Sequence, residues 1–107
     1  MTKISIIIPA YNEQKTIIEL LEKVMKQNID SVKLQVIVVD DGSKDNTVAL
    51  LESRPELYSK LVIQAQNGGK GAAVKAGLAY ADGDYILFQD ADLEYDPSEA
   101  IEECGAY

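Results

Sequence analysis

Apolar residues fall in two patterns along the chain. Four short runs are nearly continuous and rich in β-branched residues: Ile4 to Ile8, Leu34 to Val39, Lys60 to Ala65 and Asp84 to Phe88. Unbroken apolar character suits strands covered on both sheet faces, where a half-solvated strand would alternate. The intervening segments repeat at helical spacing instead. Ile17, Leu20, Leu21, Val24 and Met25 form one stripe. A second helix starts near Asp45, Asn46 or Thr47, any of which can cap it, and carries Val48, Leu50 and Leu51. The third segment, Gly69 to Ala81, is rich in Ala and Gly and can lie unusually close against a sheet. The order β-α-β-α-β-α-β predicts an α/β domain: a Rossmann-like open parallel sheet, right-handed, with helices on both faces and strand order 3-2-1-4.

That architecture tells where to look for chemistry. Open α/β sheets bind ligands in the crevice beyond the carboxyl ends of their strands. Those ends carry Pro9 to Glu13 (PAYNE), Asp40 to Ser43 (DDGS), Gln66 to Gly71 (QNGGKG) and Gln89 to Glu94 (QDADLE), so the unusual residues collect on one edge.

Composition narrows the classes. A chain of 107 residues, 47% hydrophobic and 26% charged, is one soluble domain by length and balance. A formal charge of −8 with ten scattered Lys and Arg argues against a nucleic-acid partner. Holding a phosphate then calls for a metal or backbone N–H groups. With no histidine, Ser-His and Cys-His nucleophilic schemes are excluded. The lone Cys104 offers neither a disulfide nor a thiolate metal site; it reads as a small spare residue and fits a reducing, cytoplasmic setting. The N-terminal stretch lacks the pattern of a secretory signal, and no run approaches 18 apolar residues.

Each strand end has a functional reading and a plainer one. Adjacent Asp40 and Asp41 point to opposite faces, so one can face the crevice while the other braces the loop. A crevice carboxylate would accept hydrogen bonds from ribose or a base; the plain reading is turn chemistry at Asp-Gly-Ser. The segment around Gly69-Lys70 does not form a P-loop, since Gln64 and Gly71 stand where that motif needs Gly and Ser or Thr. Lys70 at a helix start calls for an anionic partner, a site aspartate or a ligand, unless it is simply solvated. Asp90 and Asp92 leave a strand with only Ala91 between them, a set of hard oxygen donors suited to Mg²⁺ or Mn²⁺, the alternative being a solvated acidic loop. Asp96-Pro97-Ser98-Glu99 reads as a helix cap.

Taken together, Ser5 to Glu13, Val36 to Thr47 and Asn67 to Pro97 resemble the family 2 glycosyltransferases of the GT-A fold, most closely the dolichyl- or polyprenyl-phosphate sugar transferases. The resemblance implies an inverting enzyme that binds a nucleotide sugar, GDP-mannose or UDP-glucose in type, and transfers the sugar to a lipid phosphate. It implies that Pro9, Tyr11 and Glu13 line the nucleoside pocket, with Asp40 and Asp41 at base and ribose; Lys70, from its place at the helix start, is added to the expected nucleotide-sugar-binding residues. Asp90, Ala91 and Asp92 match the family's Asp-x-Asp motif; Asp92 would bind the metal bridging the donor diphosphate, with Glu94 as a further ligand. The metal neutralises charge developing on the leaving diphosphate.

Two departures matter. Gln64 stands where the family often has His. Members also run to roughly twice this length, so the expectation is a partial GT-A fold: a single nucleotide-binding half, 1–107, lacking the acceptor half and the catalytic base and showing little transferase activity alone. In longer members the setting would be the cytoplasmic membrane face. The bare edge of the fourth strand predicts self-association. The rivals are a non-catalytic nucleotide-binding module and a phospho-accepting receiver domain, whose acidic pair normally follows its first strand.

Overall fold

The computed structural model describes residues 2–27 and 31–91. Four parallel strands form one sheet: β1 (Thr2–Ala10), β2 (Val32–Asp40), β3 (Lys60–Ile63) and β4 (Tyr85–Phe88), in the order β3-β2-β1-β4. Helices α1 (Ile17–Met25), α2 (Thr47–Ser53) and α3 (Lys70–Leu78) connect them, with a short 3₁₀ turn at Pro55–Leu57. The expected order 3-2-1-4 is the observed one.

The period-2 geometry of β1 and β2 sorts their side chains onto two cores. Ile4, Ile6, Ile8, Val36 and Val38 meet Ile17, Leu20, Leu21 and Val24 of α1 and Leu51 of α2. Ile7, Ile37 and Val39 face the other way and meet Ala73 of α3. Both faces of the central strands are thus covered, which explains their unbroken apolar runs. In α1 the stripe holds for four of its five members; Met25, in the last turn, is 50% exposed. Of the three apolar residues expected to anchor α2, Leu51 is buried and Val48 and Leu50 are half-buried.

The outer strands differ. Tyr85, Ile86 and Phe88 of β4 are exposed, as is Ile63 of β3, so the apolar runs there do not mark burial on both faces among the described residues. β4 pairs with β1 from Ile4↔Tyr85 to Ile7↔Phe88, and its other edge has no partner strand among the described residues.

Small residues let α3 sit tightly, as its composition suggests. A Cβ built on Gly77 would lie 2.7 Å from Ile7 Cγ2 and 3.1 Å from Val39 Cγ2. Only a glycine permits that approach without moving the helix.

The chain runs β1 to β2 to β3 in one direction, then returns to place β4 on the far side of β1. The strand order therefore reverses between β1 and β4. Pairing of β4 with β1 stops at Ile7, leaving Pro9 and Ala10 to extend beyond it and open a crevice at the carboxyl end.

Candidate donor-binding site

A cleft of about 310 Å³ occupies that crevice, lined by Pro9, Ala10, Tyr11, Glu13, Asp41, Lys70, Ala73, Asp90 and Ala91. Seven of the residues singled out from sequence, Pro9, Tyr11, Glu13, Asp41, Lys70, Asp90 and Ala91, meet here from four elements. Asp92 and Glu94, the expected metal ligands, and the Asp96 cap lie outside the described residues.

Asp40 is not in the wall of the cleft. It is 1% exposed, points to the α1 and α2 side, and accepts the Ser43 N–H at 2.9 Å and the Ser43 hydroxyl at 2.5 Å. It braces the turn into α2. Asp41, on the opposite face, accepts the N–H groups of Gly68 and Gly69, one on each carboxylate oxygen and both at 2.9 Å. The Asp41 N–H in turn donates to the Ala10 carbonyl at 2.8 Å. Gly42, at φ +77°, brings its backbone so close to this loop that a Cβ would stand 2.8 Å from the Asn67 nitrogen. Neighbouring aspartates thus hold the loops on opposite sides of the sheet. Two N–H donors do not exhaust a carboxylate, which has about four acceptor positions, so Asp41 keeps capacity toward the cleft.

Lys70, the first residue of α3, forms an ion pair with Asp90 at the end of β4. The anionic partner that a cation at a helix start calls for is therefore in place. The pair is open to solvent, with side chains 64% and 36% exposed.

Several residues that organise the site carry no obvious chemistry of their own. Asn12 takes a left-handed φ of 53°, donates its N–H to the Ser43 hydroxyl at 2.9 Å and accepts the Lys44 N–H at 2.8 Å. Gln14 Oε1 accepts the Asn46 N–H at 3.0 Å. Thr47 Oγ1 accepts the Glu13 N–H at 2.9 Å, so these contacts stitch the loop after β1 to the loop after β2. Of the three cap candidates, Asn46 holds the N-cap position of α2 without a side-chain capping bond, and the preceding Asp45 carboxylate takes the Thr47 N–H at 2.9 Å and its hydroxyl at 2.5 Å. Desolvation is the largest single influence and pushes the Asp45 pKa up, but the Thr47 hydroxyl and the N–H groups of Thr47 and Gln14 together outweigh it and hold the pKa below the ordinary value. Asn is the common non-glycine residue in left-handed turns, so Asn12 within Tyr11-Asn12-Glu13 was the signal available in the sequence. Thr16 gave none; its hydroxyl lies 3.1 Å from Glu13 Oε2 and 3.0 Å from the Ala91 carbonyl oxygen.

Among the described residues no three carboxylates converge closely enough to hold a metal ion. The donors facing the cleft, Glu13, Asp41 and Asp90, are all hard oxygens, so their chemistry suits Mg²⁺ or Mn²⁺ even though they do not complete a site.

Residues 5–106 match the family model described as Glycosyl transferase family 2. The chain belongs to glycosyl transferase family 2. It is 36% identical over 109 residues to the poly(ribitol-phosphate) beta-N-acetylglucosaminyltransferase TarS of Staphylococcus aureus, aligning over 100% of this chain and 19% of that protein. It is 36% identical over 104 residues to the undecaprenyl-phosphate 4-deoxy-4-formamido-L-arabinose transferase of Proteus mirabilis, with shares of 92% and 32%. The structure superposes on that of S. aureus TarS 1-349 in complex with UDP-GlcNAc with a TM-score of 0.82 at 34% identity, covering 97% of this chain and 30% of that one. On the mannosyltransferase PcManGT of Pyrobaculum calidifontis in complex with GDP-Man and Mn²⁺ the TM-score is 0.76 at 34% identity, with coverage of 85% and 28%. The family assignment and the expected GT-A architecture agree with these neighbours. The chain spans less than a third of the length of these relatives.

Proposed function

We propose that this chain forms the donor site of an inverting glycosyltransferase that takes a nucleotide sugar, with Mg²⁺ or Mn²⁺, and passes the sugar to a polyprenyl or dolichyl phosphate. The observation that carries the reading is the convergence of Pro9, Tyr11, Glu13, Asp41, Lys70 and Asp90 on one cleft at the strand-order reversal. The carboxylates of Glu13 and Asp41 are suited to accept hydrogen bonds from ribose hydroxyls and a base N–H, and the exposed Tyr11 ring flanks them. Asp40 serves this site as a brace for the turn at Ser43. Lys70 supplies positive charge on the diphosphate side, released from Asp90 as the ligand enters. Asp92 and Glu94 would hold the metal, which supplies charge neutralisation for the leaving diphosphate.

Support for the donor class comes from neighbours whose solved complexes contain UDP-GlcNAc and GDP-Man, the latter with Mn²⁺. Support for the acceptor comes from relatives named as undecaprenyl-phosphate and dolichyl-phosphate transferases, among them the dolichyl-phosphate beta-glucosyltransferase of Dictyostelium discoideum, 40% identical over 99 residues. A second acceptor, poly(ribitol phosphate), is favoured by the match to TarS over the whole of this chain. Both acceptors present a phosphate.

Titration calorimetry with UDP, GDP and their sugars, with and without Mn²⁺, tests the donor site. Binding that strengthens with Mn²⁺ is expected, and Asp92→Ala should abolish the metal-dependent part. No binding to any nucleotide in either condition would sink the reading.

A further inference from the structure

The Asp90-Ala91 segment, where the chain leaves β4, is held at two points. Lys70 takes the Asp90 side chain from the α3 side. Thr16 takes the Ala91 carbonyl from the α1 side, its hydroxyl 3.0 Å from that oxygen. Thr16 immediately precedes α1, and its backbone is itself fixed: the Thr16 N–H donates to the Glu13 carbonyl at 3.1 Å, and the Thr16 carbonyl accepts the Leu20 N–H at 2.9 Å. The contact to Ala91 spans 75 residues of sequence, and Ala91 is 4% exposed and packed in the core beneath α1.

The same hydroxyl lies 3.1 Å from Glu13 Oε2, a cleft-lining carboxylate. A hydroxyl carries one proton, so it can satisfy one acceptor fully or share itself between two. A ligand hydroxyl that donates to Glu13 draws on the negative charge of that carboxylate and makes it a weaker acceptor for Thr16, so the shared proton shifts toward Ala91. Occupation of the nucleoside side would therefore tighten the tie on the residue that leads directly into Asp92.

We propose that Thr16 is a positioning residue which couples the nucleoside-facing carboxylate of Glu13 to the backbone at Ala91, the residue that precedes Asp92 in sequence. The inference rests on the donor-site reading, goes beyond its contact residues, and predicts cooperation between nucleotide and metal.

The test compares Thr16→Val, which keeps the shape and removes the hydroxyl, with Thr16→Ser, which keeps the hydroxyl. Circular dichroism and thermal melting establish that both variants fold. With ¹³C-labelled alanine, the Ala91 carbonyl resonance reports its hydrogen bond without any ligand. Thr16→Val should shift that resonance upfield and Thr16→Ser should leave it near the wild-type position; no shift in Thr16→Val would overturn the tie. In calorimetry with UDP and GDP, loss of one hydrogen bond should weaken binding in Mn²⁺ by roughly fivefold to tenfold. Binding without metal should change by less than about twofold, and Thr16→Ser should recover the Mn²⁺ effect. Equal weakening with and without Mn²⁺ would overturn the coupling, because a purely structural loss moves both. If the wild-type chain binds nucleotide with no Mn²⁺ effect, the metal part of the donor-site reading fails while the carbonyl resonance still decides whether Thr16 makes the tie.

Discussion

The two walls of the cleft are held by different means. On the β2 side, Asp41 is 4% exposed and clasps the backbone of Gly68 and Gly69, and Gly42 lies close against the backbone of Gln66 and Asn67. On the β4 side, Asp90 is joined to Lys70 through a solvent-exposed pair of flexible side chains. Carboxylate bonds to backbone N–H groups in a nearly buried setting cost little side-chain entropy and resist salt. An exposed ion pair contributes little to stability and exchanges readily with an incoming charge. The first wall is thus preorganised and the second exchangeable, a division that suits a ligand with an uncharged nucleoside end and a charged diphosphate end.

The contrast can be broken from the rigid side first. Replacing Gly77 with valine drives a branched side chain into Ile7 and Val39 and lifts α3, with the glycine loop, off the sheet. A loss of about 3 kcal/mol in urea unfolding is expected. Asp41→Ala comes next: it strands the Gly68 N–H, while Gly69 keeps a second acceptor in Asn67 Oδ1 at 3.0 Å, so about 2 kcal/mol should be lost. Unfolding in urea measures that too, and nucleotide titration should show binding lost with it. Lys70→Ala attacks the exchangeable wall. Stability should change by less than about 1 kcal/mol, whereas calorimetry should show nucleoside-diphosphate binding without metal weakened severalfold. Equal stability losses for Asp41→Ala and Lys70→Ala would erase the distinction.

The smallest effect concerns pH. The folded pKa of Asp45 lies below its ordinary value of 3.8, because bonds to Thr47 and Gln14 outweigh desolvation. A depressed carboxylate contributes stability that is fully present above the unfolded pKa and is lost as pH falls through the folded one. Asp45→Asn should therefore flatten the acid limb of a stability–pH curve below that value and leave its shape at neutral pH unchanged.

Much of this was legible beforehand because local pattern and global fold agree. The runs at Ile4 to Ile8 and Leu34 to Val39 are covered on both faces, as unbroken apolar strands should be. The same rule failed at Tyr85 to Phe88, where Tyr85, Ile86 and Phe88 are exposed among the described residues and Leu87 alone packs half-buried against the core. A run of four residues does not record whether a second layer lies over it. Adjacent aspartates implied opposite roles, and Asp40 and Asp41 do face opposite sides, but which one met the cleft depended on the register with β1 that sets Asp40 opposite Ala10.

By itself, then, the sequence determined the strand and helix types, their order in the sheet and the edge on which the polar residues gather. Those features follow from periodicity and from the handedness of β-α-β crossovers, both written in local patterns. Tertiary structure alone decided the long-range bonds: Asp41 to the glycine loop, Lys70 to Asp90, Asn12 to the loop after β2 and Thr16 to Ala91. These join residues between about 20 and 75 positions apart. Only the packing of two helical layers on a twisted sheet brings such groups within hydrogen-bond reach, and no local pattern of residues encodes that distance.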